Sequence, residues 1–311
     1  MRTSLTLLLI VAMAAGGWVA WQVYVPMTPP ANTSLLLHSG YSTRRIAAEL
    51  KAAGVIRSEL AFRVWHAIRP KPSLKAGEYR FERAATLPQV YQQIARGDIY
   101  FHVVTIPEGF TMFDIAKAME DAGLGSAAEF LRVAETQTQL IADFAPDAKS
   151  LEGYLFPDTY QFTRTQSLEE MAAAMVHQFR QTAQQIGLSG PQGLKPAELP
   201  AVGGTAEAVP YPKNAGAASS QPSSDVSTIV TIASIVEKET AVPEERPLVA
   251  SVYYNRLAQK MALDADPSII YAELLTGTYQ GSLHHADLAV NSPYNTYRFP
   301  GLPPGPIGNP G

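Results

Sequence analysis

The sequence predicts an α+β fold: an apolar N-terminal helix, then small βα units, then a larger, mainly helical region. Three observations lead there. After Arg2 no charged residue appears until Arg44. From there on, strand-like runs alternate with helical runs opened by Ser or Thr caps and closed by glycine. One such βα pattern occurs twice. At 311 residues the chain is long enough for two domains.

The first element is Leu5–Val25, LTLLLIVAMAAGGWVAWQVYV. It has about the ~20 apolar residues a helix needs to cross a bilayer. Trp18, Trp21 and Tyr24 gather at its far end as an interfacial aromatic belt does. Arg2 favours an inside N-terminus, so residues 1–26 are expected to be a membrane anchor with the bulk exported. A cleaved signal peptide with Ala12-Met13-Ala14 as its small-residue site is the rival, but the apolar run continues well past that site. Residues 27–34 then read as an extended tether.

Leu35–His38 is strand-like. Ser42 or Thr43 caps a helix that Gly54 stops, and Ser58 caps another. Gly77–Phe81 reads as a strand, and Thr86 caps a helix ending at Gly97. The stretch His38–Val55 is repeated at Pro107–Leu124. Gly40 matches Gly109, Tyr41 matches Phe110, Ser42 matches Thr111, and Gly54 matches Gly123. The turn glycine followed by an aromatic and a cap resembles the opening of LysM modules, which bind N-acetylglucosamine polymers. Any βα unit also needs a turn, a cap and an apolar stripe. Residues 35–100 are taken as a LysM-like module. Residues 101–311 form a second domain that contains the second βα repeat at 101–125.

Further helices are expected at 127–136, 168–186, 227–240 and 243–259, and Asp266-Pro267 starts a turn leading into 268–275. Residues 189–224 are rich in Pro, Gly, Ala and Ser and read as a disordered insertion. The segment Leu151–Tyr160 breaks helix yet carries several aromatics. It suits a sugar-lining loop, with Glu152 for hydroxyls and Tyr154 for ring stacking, or a packed Ω-like loop. The tail from Asn291 is irregular and stops inside a Pro/Gly run, with no element expected to close the core, so the domain looks truncated.

Composition narrows the chemistry. The net charge is −4 with no dense basic run, which argues against nucleic acid. The chain has no cysteine, so thiolate zinc sites, disulfides and cysteine nucleophiles are excluded. The six histidines do not fall at zinc-ligand spacing, and neither metal nor cofactor is expected. The most informative residue is Glu237. It closes the uncharged stretch Ser227–Val236, whose apolar residues cover most of a helix. A carboxyl beside packed apolar side chains resists ionising, as a general acid must. The same pattern also suits a helix end whose glutamates face water. Glu239 lies about 200° round the helix, which makes it a structural partner for Arg246 or Arg256.

Six stretches occur together: Glu152–Tyr160, Ala233–Thr240, Ala250–Leu257, Ala265-Asp-Pro267 with Tyr271, Ala286–Leu288, and Ser292–Tyr297 with Gly301–Gly305. In this order they resemble the endolytic murein transglycosylase family, the MltG/YceG-like proteins. The resemblance implies cleavage of nascent peptidoglycan glycan strands outside the inner membrane, at the bond between N-acetylmuramic acid (MurNAc) and N-acetylglucosamine (GlcNAc). It makes Glu237 the essential catalytic residue, giving 1,6-anhydromuramyl ends and terminating strand elongation. Asn255, Asp266, Asn295 and Tyr297 become candidates for sugar and peptide hydrogen bonds. The expected partners are glycan strands, the inner membrane and peptidoglycan synthases. The chain departs from the family in its long 189–224 insertion, in Asp264 where glutamine is common, and in lacking a segment after Gly305. Two alternatives stand beside this. One is a non-catalytic, membrane-tethered peptidoglycan-binding protein. The other is a serine hydrolase using Ser234 and Lys238, which share a helix face.

Overall fold

The structure is a computed structural model describing residues 2–31, 33–69, 73–188 and 226–311. The insertion expected at 189–224 lies outside the described residues. The chain divides into two compact units. One is Met1–Val104 with Tyr160–Ser167, and the other is Thr105–Thr159 with Leu168–Gly311.

The first unit begins with α1 (Arg2–Tyr24) and continues through β1 (Thr33–Leu37), α2 (Thr43–Ala52), α3 (Glu59–Ala67), β2 (Gly77–Phe81) and α4 (Leu87–Arg96). β1 and β2 pair antiparallel, with Leu35 opposite Tyr79. The Ser42 and Ser58 side chains accept the N–H groups of Arg45 and Ala61, as good N-caps do. The core gathers Leu37, Ile46, Leu50, Phe62, Tyr79 and Val90. Residues 25–27, where the expected anchor (1–26) meets the expected tether (27–34), are held down. Met27 and Ala85 exchange backbone hydrogen bonds of 2.9 and 3.0 Å. Arg57 donates to the carbonyls of Val25 at 2.5 Å and Pro26 at 2.8 Å. Among the described residues no helix is long and apolar enough to cross a membrane. The side chains of residues 2–5 and 8 are outside that description.

β3 (His102–Thr105) precedes the second unit, which contains α5 (Met112–Asp121) and α6 (Ala127–Thr136). β4 (Thr159–Phe162) pairs with β3 as a separate two-stranded sheet. After it come α7 (Leu168–Gln185), α8 (Val226–Glu239), α9 (Arg246–Ala258) and α10 (Asp266–Thr276). Thr111 and Ser126 cap α5 and α6 with reciprocal side-chain bonds to Asp114 and Glu129. The unit's core around α8 contains Ile232, Ile235, Val236, Tyr253, Tyr271 and Ile307.

The tail differs from expectation. Residues 306–309 are buried. Gly109 N–H donates to the Asn309 carbonyl and Asn309 N–H to the Phe110 carbonyl, both at 2.8 Å. The run that looked like an unclosed end is therefore interior backbone, satisfied by the turn that opens α5. Gly153 explains how it fits. Its φ is +88°, and a Cβ there would stand 2.4 Å from Pro306 Cγ and 2.9 Å from Val230 Cγ1. Only glycine admits the tail between the 151–156 loop and α8.

Candidate active site

α8 reaches the site because its sequence lets it be buried on nearly every side. Val226, Val230, Ile232, Ile235 and Val236 are all interior. Glu237 follows them in the last turn, with 9% of its side chain exposed. Arg246, at the start of α9, donates from Nη2 to Glu237 Oε1 at 2.7 Å and to Glu108 Oε2 at 3.2 Å. The Gly311 backbone N–H also bonds Glu237. Gly109 adopts φ +77°, and a Cβ there would lie 3.4 Å from Glu237 Cγ. The turn at 108–110 and the tail at 307–311 thus wall the carboxyl on two sides.

Burial is the main force raising Glu237's pKa above the ordinary carboxylate value. The Glu108 charge adds to it and Arg246 opposes it. One guanidinium serves two carboxylates, and Glu237 is the more enclosed of the two acids. The Arg246 Nε–H is buried and has no hydrogen-bond partner among the described residues. The guanidinium therefore keeps a spare donor beside the two acids.

Behind these walls lies a second buried carboxyl. Glu152 is 2% exposed. It accepts the Met112 N–H at 3.1 and 2.9 Å, the Asn309 Nδ2–H at 2.7 Å, and the Tyr271 hydroxyl. Burial pushes its pKa up to about 7 against these stabilising bonds. Asn309 completes the junction by donating Nδ2–H to the Phe110 carbonyl at 2.8 Å and accepting the Leu155 N–H at 2.9 Å.

Several residues read as sugar contacts are placed elsewhere. Glu152 and Tyr154 are buried and border only a small cavity of about 30 Å³. The first satisfies interior donors, and the second is buried edge-on to Phe179 at 5.0 Å between centroids. Asn295 is fully buried, donating to the carbonyls of Leu288 at 3.0 Å and Val290 at 2.7 Å. It holds its own turn, as Asn does where backbone groups need a partner. Asn255 is exposed on α9. Asp266 and Tyr297 are brought together, the Tyr297 hydroxyl donating to Asp266 Oδ1 at 2.5 Å. That bond, ahead of burial, raises the phenol pKa to about 12.

Glu239 accepts from the Tyr253 hydroxyl at 3.2 Å rather than from either arginine. Arg246 is taken by Glu237 and Glu108, and Arg256 by Asp264 at 2.6 Å. The serine-nucleophile alternative also fails. Ser234 is buried, donates to the Thr231 carbonyl at 2.7 Å and accepts the Ile307 N–H at 3.0 Å. Its hydroxyl pins the tail to α8. Glu108 and Asn309 were not singled out from sequence. Glu108 carried a signal, because the first repeat has uncharged Ser39 at the matching place.

A family profile described as the YceG-like family matches residues 35–311. An endolytic murein transglycosylase of Bacillus subtilis is 30% identical over 304 residues, covering 92% of this chain and 75% of that protein. One from Streptococcus pneumoniae (strain D39) is 26% identical over 337 residues, covering 98% of this chain and 56% of that protein. This chain thus spans little more than half of the pneumococcal relative. A crystal structure of a putative yceG-like protein from Listeria monocytogenes superposes with a TM-score of 0.50 at 27% identity, covering 89% of this chain and 86% of that one. Matched over 35–311, a stretch that holds the walled acid of α8 and the turn beneath it, the chain belongs to the YceG-like family.

Proposed function

We propose that this protein is an endolytic murein transglycosylase and that Glu237 is its acid and base. The observation that carries the reading is the Glu237 carboxyl, walled in at the end of an apolar helix, with its pKa raised mainly by burial. The names of its relatives point to the same substrate, peptidoglycan.

The chemistry needs no water. Protonated Glu237 donates to the glycosidic oxygen joining MurNAc C1 to GlcNAc. As that C1–O bond breaks, its electron pair stays on the departing oxygen, which takes the proton. The C6 hydroxyl of the same muramyl residue attacks C1, and its proton passes to the Glu237 carboxylate. A C1–O6 bond forms, the product ends in 1,6-anhydroMurNAc, and the acid is regenerated. Hydrolases of this class use two carboxylates because one must act on water or on the sugar. Here the nucleophile belongs to the substrate. Arg246 orients Glu237 through Oε1 and steadies the carboxylate formed midway.

Residues 1–26 serve in this reading as an inner-membrane anchor with the N-terminus inside and the bulk periplasmic. The uninterrupted apolar run and its terminal aromatics support that. The β1–α2–α3–β2 order with paired outer strands supports a LysM-like role in holding glycan. Association with peptidoglycan synthases would place the enzyme on nascent strands.

Glu237→Gln keeps the shape and removes the proton relay. The full chain should release anhydromuramyl ends from glycan strands, detected by mass spectrometry, and the variant should release none above background. Full activity in Glu237→Gln would end the assignment.

A further inference from the structure

We infer that α3 is an interfacial helix whose outer face lies on the same phospholipid surface that receives α1. The inference rests on the reading of residues 5–25 as a membrane-entering segment.

α3 is two-sided. Phe62 and Trp65 point into the core. Leu60, Val64 and Ile68, spaced four residues apart, point outward with exposures of 65, 50 and 70%. Side chains at this spacing form one stripe, and among the described residues it stays exposed. Solvent-facing helix surfaces normally carry charge along such a stripe. Here the charge lies at its margins instead. Arg57, Arg63 and Arg69 flank the apolar residues, the arrangement found in helices that lie in an anionic lipid interface.

Three contacts fix the height of α3 relative to α1. Arg57, just before α3, donates to the carbonyls of Val25 and Pro26, where the apolar run ends. Its guanidinium stands 4.8 Å from the Trp21 ring centroid. Tyr24 meets Trp65 edge-on at 6.1 Å between centroids. Trp18, Trp21 and Tyr24 are themselves exposed. A membrane that receives α1 up to its aromatic belt therefore comes level with the start of α3. Between the two helices lies a pocket of about 360 Å³ lined by Trp18, Val19, Val23, Leu60, Val64 and Ile68. Its walls are almost wholly apolar, which suits an acyl chain and not a sugar. Arg69 sits over the Trp65 ring at 4.0 Å, so a cation and an aromatic share the rim, where lipid phosphates would be met.

The absence of cysteine makes the test direct. Val64→Cys in the full chain is labelled with bimane and reconstituted into vesicles of phosphatidylcholine with phosphatidylglycerol, some carrying a nitroxide near the headgroup. Val11→Cys reports α1, and Lys117→Cys, exposed on α5 of the second unit, reports solvent. The expected result is a blue-shifted emission and nitroxide quenching at positions 11 and 64, with neither at 117. Quenching at 11 with position 64 behaving like 117 would overturn the inference and leave the anchor reading intact. It would also be the outcome if a second protein copy covered the stripe. No quenching at either position would overturn the inference together with the anchor reading. Val64 is exposed, so its substitution does not threaten the fold.

Discussion

Asn309→Ala tests how far the tail holds the second unit together. The wild-type side chain makes three hydrogen bonds while fully buried: from Leu155 N–H at 2.9 Å, to the Phe110 carbonyl at 2.8 Å and to Glu152 at 2.7 Å. Alanine removes all three. The losses are unequal. The Phe110 carbonyl keeps the Asn309 backbone N–H, and Glu152 keeps Met112 and Tyr271. The Leu155 N–H has no substitute and is left buried without a partner, at a cost of about 1–3 kcal/mol. Losing the bond to Glu152 adds about 1–2 kcal/mol. The sum, about 3 kcal/mol, is a large fraction of a typical domain's stability of about 5–15 kcal/mol. Urea unfolding followed by far-UV circular dichroism reads it directly. With a slope near 2 kcal/mol per molar, the midpoint should fall by about 1.5 M at unchanged slope. A fall below about 0.3 M would show that the junction does not hold the unit together, and the account of the buried tail would fail.

Two further outcomes follow from the buried acids. Glu152 has a folded pKa of about 7 against an ordinary 4.5, so between those values the folded state binds more protons than the unfolded one. Its contribution is full below about pH 4.5 and is lost as pH rises through about 7. That window, roughly 2.5 pH units wide, corresponds to about 3 kcal/mol. Comparing urea midpoints of wild type and Glu152→Gln across pH 4–8 should show the wild type losing ground to the variant as pH rises, and parallel curves would refute the assignment. At the site, Arg246 lowers the pKa of Glu237 and Glu108 raises it. The descending alkaline limb of kcat/KM, which the proposed mechanism assigns to loss of the Glu237 proton, should move to higher pH in Arg246→Gln and to lower pH in Glu108→Gln. Shifts of the same sign in both variants would contradict the electrostatics.

Helices were legible because their ends are written locally. Ser42, Ser58, Thr111 and Ser126 each stand at an N-cap, and Gly97 and Gly277 close their helices in the left-handed conformation. The buried character of α8 followed from its uninterrupted apolar run. What sequence left hidden depends on distant partners. Glu152, Tyr154 and Asn295 sit in turn-rich segments where polar and aromatic residues usually face solvent. Here they are interior, because loops folded into the core leave backbone donors and acceptors that only buried side chains can satisfy. Proline and glycine in 301–311 erase any period, so nothing local distinguishes that buried strap from a loose end. Arg246 was visible as a cation, but its choice of Glu237 over Glu239 is decided by the path from α8 into α9.

The strap and the turn it grips lie 199 positions apart along the chain. A ribosome delivers Gly109 long before it delivers Asn309 and Gly311. Until those residues dock, the carboxyl at the end of α8 is missing one of its two walls and is less screened from water. The enclosure that raises the Glu237 pKa is therefore complete only once synthesis has passed the strap, and a chain caught partway lacks it.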